Sequence, residues 1–157
     1  VWYGLKFFNV YGVNEYHKKN QSSVVHSFLS QLKMSGKIKL FKSSNTKYID
    51  GKQIRDFVSV NFCIRFIKIL QKINFDNGLL NVGTGKPKTF ISFAKDIMEA
   101  YKKKGELIFI EMPKNLKKHY QYYTKSENLK TRKIHNLIQD FNFKKDLKLI
   151  VSNIKKS

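Results

Sequence analysis

Arginine is scarce in a strongly basic chain: of 31 Lys and Arg among 157 residues, only Arg55, Arg65 and Arg132 are arginines. Bidentate reading of phosphates and guanine edges favours Arg. The net charge of +20 therefore reads as a lysine-rich solvated surface, and a dedicated nucleic-acid site is set aside. Cysteine is reduced to Cys63, which excludes an internal disulfide and a cysteine-built metal site and points to a reducing, cytoplasmic setting. Two prolines and eight glycines beside 41% hydrophobic residues exclude collagen-like and disordered chains. No apolar run approaches the roughly 20 residues of a membrane-spanning helix. HxxxH, CxxC and paired-carboxylate constellations are absent too, which removes the metalloenzyme and glycosidase readings.

What is present is an alternation of short strands and longer helices. Residues 4–10 read as a buried strand ending at Tyr11-Gly12, followed by a polar loop over 13–21. Val24, Val25, Phe28, Leu29 and Leu32 mark one helix face, closed by Gly36. A short strand is expected at 38–41, a loop at 43–53, a strand at 56–60, a helix over 62–73 and a buried strand at 79–82. Thr89 is an N-cap candidate for a helix through Tyr101, residues 107–110 look strand-like, and two basic amphipathic helices are expected near 126–139 and 144–155. Strands alternating with helices imply an α/β fold. The chain opens on Val1 and enters a strand almost at once, from which a cut through a larger domain is expected.

Several motifs could carry chemistry. Phe8-Asn9-Val10-Tyr11-Gly12 places an amide and a glycine at the carboxyl end of a strand, where ligands sit in open α/β sheets. His17-Lys18 follows in the polar loop, and a lysine in a crevice can act as a general acid or base. Arg55-Asp56 heads another strand; the arginine could clamp a phosphate, with the aspartate orienting it or capping the loop. Asn81-Val82-Gly83-Thr84-Gly85 is a glycine-rich strand-to-helix turn, weak as a nucleotide fingerprint and as readily explained by close backbone packing. Tyr120, Tyr122 and Tyr123 after Lys117-Lys118-His119 combine stacking surface with positive charge. His26 lies near an apolar helix face with no carboxylate or cysteine at ligand spacing.

In this order, FNVYG, NEYHK, SSVV, KLFKSS, GKQIRDFV, NVGTG and MPKNLKKHYQYYT resemble the carboxyl-terminal half of the ADP-glyceromanno-heptose 6-epimerases, a family within the extended short-chain dehydrogenases/reductases. FNVYG, RDFV and NxGTG are shared by sugar-nucleotide epimerases and dehydratases generally; the HK pair and the LKxxYQ segment are particular to the heptose epimerases. The resemblance implies one partial domain, late Rossmann strands plus a substrate-binding subdomain, in a cytoplasmic enzyme of lipopolysaccharide precursor synthesis that assembles as a homo-oligomer. It implies NADP as cofactor and ADP-heptose as substrate, with C6 oxidised transiently and a proton-transferring group needed on each face. Lys18 would be one such group and would also border the cofactor, as would Val10. Asn9, Asn20, Ser27 and Tyr120 would contact substrate, Phe41, Lys42, Ser43 and Ser44 its nucleotide part, and Arg55 its diphosphate.

The sequence departs from the family pattern in places. Val13 stands where proline is common after FNVYG, and Ser27 takes the position of the family's substrate histidine, with His26 one residue earlier, about 100° round a helix. RDFVYVKD becomes Arg55-Asp56-Phe57-Val58-Ser59-Val60-Asn61-Phe62. No strand-GxxGxxG-helix cofactor turn and no YxxxK base precede FNVYG in these residues, so this stretch alone is expected neither to hold NADP tightly nor to turn over. Another extended short-chain enzyme acting on a sugar nucleotide, and a noncatalytic basic binding module, remain the alternatives.

Overall fold

The computed structural model describes residues 2–138 and 140–156, apart from the side chains at 19, 20, 155 and 156. The chain folds as alternating strands and helices. β1 (Tyr3–Phe7) runs parallel to β6 (Gly78–Val82), and β2 (Asn9–Tyr11) parallel to β5 (Phe57–Ser59). β3 (Lys37–Phe41) runs parallel to β8 (Glu106–Ile110), while β4 (Ile54–Arg55) pairs antiparallel with β7 (Lys88–Thr89). The main helices are α1 (Val24–Ser35), α2 (Val60–Leu70), α3 (Phe90–Tyr101) and α6 (Phe143–Lys156); the short α4 (Lys114–Lys117) and α5 (Arg132–Asn136) lie between α3 and α6. Parallel pairs need crossover connections, and each carries at least one helix.

Local chemistry explains where these elements start and stop. Gly36 closes α1 with φ 70°, its N–H returning to Leu32 O at 3.1 Å, the left-handed cap that glycine adopts without strain. Thr89 caps α3 by accepting from Ser92 N–H, and Ser59 caps α2 by accepting from Phe62 N–H, both at 3.1 Å. Each such cap is worth about 1 kcal/mol. Since Ser59 is the cap, α2 begins two residues before the expected 62 and ends at Leu70.

Two apolar cores meet along β5. Tyr11, Phe28, Leu29, Leu32, Ile38, Phe57, Phe93, Ile97 and Ile150 build one core, and Val58, Phe62, Phe66, Leu80, Val82 and Ile134 the other. Successive strand residues face opposite sides, so Phe57 and Val58 enter different cores. Phe57 stacks on Phe93 with ring centroids 3.9 Å apart. Burial raises the Tyr11 hydroxyl pKa, with Asp146 and Asp96 adding to it, and pushes the Cys63 thiol up to about 12. Cys63 is thus an inert core residue.

Three expectations need correction. The first strand breaks at Phe8, whose N–H bonds to Val82 O while Asn9 N–H bonds to Asp56 O, so the chain changes partners there. The loop over 13–21 contains a tight helical turn, Tyr16–Gln21. The helix expected over 126–139 is only α5, because Ser126 N–H donates to the Asp56 carboxylate, 70 residues away, and draws 122–126 into an extended path. Among the described residues no helix is long and apolar enough to cross a membrane, and no cluster of three metal-ligating side chains occurs.

Candidate functional site

Asp56 organises the region. It is fully buried, and its carboxylate accepts from Thr84 N–H (2.9 Å), Thr84 Oγ–H (2.5 Å), Gly85 N–H (2.8 Å) and Ser126 N–H (2.9 Å). A carboxylate bonded four times by donors from two remote segments acts as a pin. This accounts for the glycine-rich turn: a Cβ on Gly83 would come within 2.6 Å of Ser126 Cβ and 3.0 Å of Asp56 Oδ2. The turn is built for close packing around Asp56, and the aspartate caps that loop.

Arg55 lies beside the pin, only 8% exposed. Its Nη1 donates to Ile54 O at 2.9 Å, and its guanidinium carbon sits 5.1 Å from the centre of the Tyr120 ring and 5.8 Å from that of Phe90. Burial lowers the guanidinium pKa, with Tyr120 opposing, and burial raises that of Tyr120, with Arg55 opposing. Among the described residues no carboxylate pairs with Arg55. A buried guanidinium with aromatic walls and no anion of its own is arranged to receive one.

Aromatic surface continues from this point. Ile54 N–H donates to Tyr122 O and Thr124 N–H to Ile54 O, laying residues 122–124 along β4. Tyr120 packs edge-on against Tyr122 (5.1 Å), which stacks on Tyr48 with centroids 4.9 Å apart and 28° between planes. The Tyr122 hydroxyl meets Ser44 Oγ at 2.6 Å and accepts from Ser44 N–H at 3.2 Å. Ser43 N–H is held by Asp50 at 2.7 Å, and buried Gln53 donates to Phe41 O at 3.2 Å. Phe41, Ser43, Ser44, Arg55 and Tyr120 thus belong to one connected region. The Lys42 ammonium, next along the chain, lies 3.0 Å from Glu111.

The residues after FNVYG form a second region. Glu15 is buried, accepting from Gly12 N–H at 2.8 Å and Ser23 N–H at 2.7 Å, with Lys18 Nζ 3.9 Å away. The Lys18 side chain is 46% exposed. The Asn9 amide nitrogen donates to Asp56 O (3.3 Å) and Thr124 Oγ1 (3.2 Å). Val10 is exposed at the middle of β2. Ser27 is exposed and accepts from Gln31, whereas His26 is half-buried with Nε2 unpartnered. Burial lowers the His26 pKa, Glu15 opposing and Lys18 and Lys33 adding to it. The Asn20 side chain lies outside the described residues.

Tyr48 and Glu15 are the parts of these regions that sequence reasoning missed. Tyr48 is the aromatic of an otherwise polar loop, and Glu15 is one of 11 acids in a chain with 31 basic residues, which were the available signals. Tyr48 and Lys52 have YxxxK spacing, but they lie in a looped segment where Tyr48 N–H bonds to Asn45 O and Lys52 N–H to Ile49 O. They do not share a helix face.

Residues 2–83 match the NAD dependent epimerase/dehydratase family. A curated ADP-L-glycero-D-manno-heptose-6-epimerase of Fusobacterium nucleatum is 40% identical over 139 residues, 85% of this chain and 42% of that protein. The enzyme of the same name from Alkalilimnicola ehrlichii is 42% identical over 124 residues, 79% of this chain and 38% of its own. The chain thus spans about two fifths of the length of these relatives. Among solved structures, the Helicobacter pylori ADP-L-glycero-D-manno-heptose-6-epimerase superposes with TM-score 0.79 at 22% identity, covering 100% of this chain and 45% of that one. A Thermus thermophilus UDP-glucose 4-epimerase in complex with NAD gives 0.74 at 21%, covering 99% and 47%.

Proposed function

We propose, from the premise that the chain belongs to the NAD dependent epimerase/dehydratase family, that it forms the substrate-gripping part of a 6-epimerase acting on ADP-heptose. The observation that carries this is Arg55: buried, without a carboxylate, walled by Tyr120 and Phe90. The relatives at 40% and 42% identity, both named for that reaction, support the choice of sugar nucleotide. The diphosphate would lie on Arg55, with the nucleoside toward Phe41, Ser43, Ser44 and the Tyr48–Tyr122 stack. Asn9 would offer its amide oxygen to a sugar hydroxyl.

Epimerisation at a carbon bearing hydroxyl and hydrogen needs the hydroxyl proton removed on one side and restored on the other. Lys18 serves as one of these groups, its head exposed and its position set by the buried Glu15 carboxylate. Bound NADP supplies the hydride acceptor and donor. The exposed apolar side chain of Val10 and the head of Lys18 are the groups here that would border it. The glycine-rich phosphate turn of such cofactor sites has no counterpart among these 157 residues, so most of that grip comes from elsewhere in the enzyme. The cytoplasm, where nicotinamide nucleotides circulate and Cys63 stays reduced, is the expected setting; the product would enter lipopolysaccharide assembly and the whole enzyme would work as a homo-oligomer.

Lys18→Met tests this role. Turnover by the enzyme carrying this chain should fall about 10²–10⁴-fold, the usual contribution of a positioned proton-transfer group. Unchanged turnover would remove Lys18 from the mechanism. The 0.74 superposition on a UDP-glucose 4-epimerase favours a second reading, a 4-epimerase of UDP-sugars, which an assay of ADP- against UDP-sugars separates.

A further inference from the structure

His135 lies outside every motif considered so far. Its Nε2 is 2.9 Å from Gly83 O and its Nδ1 is 3.0 Å from Thr131 O. Both partners are carbonyl oxygens, which only accept. A neutral imidazole carries one N–H, so one of these contacts would set a ring lone pair against a carbonyl lone pair. Both become hydrogen bonds only when both ring nitrogens are protonated.

The surroundings bear on that proton from several sides. The rings of Phe62 and Phe66 on α2 pack against the imidazole, with centroids 5.9 and 5.8 Å away and 46° and 71° between planes. Lys86, Lys88 and Lys144 line the same cavity as His135 and oppose a positive ring. Lys88 is paired with Asp96 and Lys144 with Glu99, which reduces that opposition. Beyond the turn stands the Asp56 carboxylate, bonded to Thr84 and Gly85.

We infer that His135 is a doubly donating imidazolium that clamps α5 to the turn at 83–85, and so acts as a positioning residue for the Asp56 pin and the neighbouring Arg55. The connection is continuous: His135 fixes the Gly83 carbonyl, the next two residues give their N–H groups to Asp56, and Asp56 precedes the strand that leads into α2. Loss of the proton leaves the ring one donor for two acceptors. The clamp is therefore complete only when both ring nitrogens donate.

The test is a long-range proton–nitrogen NMR spectrum of the ¹⁵N-labelled chain at about pH 7, with His135→Gln identifying the signal among four histidines. Both His135 ring nitrogens should be of the protonated type; an unprotonated nitrogen overturns the inference. Amide exchange at Thr84 and Gly85, corrected for the intrinsic rate, gives a second readout. Protection should be roughly tenfold lower in His135→Gln than in the unsubstituted chain, matching the loss of one hydrogen bond to a charged donor. Protection unchanged by His135→Gln would also overturn it, since the imidazole would then not hold the turn.

Discussion

The surroundings of Asp56 and of Lys18 differ in how far each is finished within these residues. Around Asp56, donors from two remote segments converge on one buried carboxylate, and adjacent Arg55 is sheathed by two aromatic rings. Around Lys18, a half-exposed ammonium touches one carboxylate at 3.9 Å. A finished polar cluster resists rearrangement, because breaking any member leaves a buried group unpaired. A half-exposed lysine carries little stability and is free to meet a ligand. The proposed diphosphate grip is therefore built on a finished cluster, whereas the proposed proton-transfer group is half-exposed and lightly held.

Substitutions at the two regions should separate accordingly. The largest effect is expected at the pin: Asp56→Ala leaves Thr84, Gly85 and Ser126 donors unmatched, and should cost about 3–5 kcal/mol in denaturant unfolding. A loss below about 1 kcal/mol would mean that water replaces the carboxylate and that the pin is not structural. An intermediate effect is expected at the aromatic wall. Tyr122→Phe keeps the stack on Tyr48 but removes the hydroxyl that Ser44 meets, and should weaken ADP-sugar binding by about three- to tenfold, the worth of one hydrogen bond; unchanged affinity would detach Ser44 from the site. The smallest effect on stability belongs to Lys18→Met, within about 0.5 kcal/mol of the unsubstituted chain, even though its effect on turnover is large. A marked loss of stability there would erase the contrast between the two regions.

The sequence was most legible where short-range chemistry decides. Thr89 as a cap, Gly36 as a stop and the 24–32 stripe are local features, and the structure places each as read. Sequence was least legible where partners are far apart along the chain. Ser126 looked helical because its attachment to Asp56 spans 70 residues, and the strand broke at Phe8 because its two halves bond to different remote strands. The same holds for the site. Arg55 stood out by its rarity and the tyrosines by their clustering, but the stacking of Tyr48 on Tyr122 and the bridging of Gly83 by His135 exist only after folding. The Lys42–Glu111 ion pair is likewise visible only after folding.

Calorimetric titration of the chain with an ADP-sugar, beside Arg55→Ala, tests the central claim most directly. A buried guanidinium receiving a diphosphate predicts saturable binding that weakens about ten- to a hundredfold in the variant, the span for a charge-assisted contact. Binding of equal strength in both, or binding of UDP- and ADP-sugars alike with no dependence on Arg55, would contradict it.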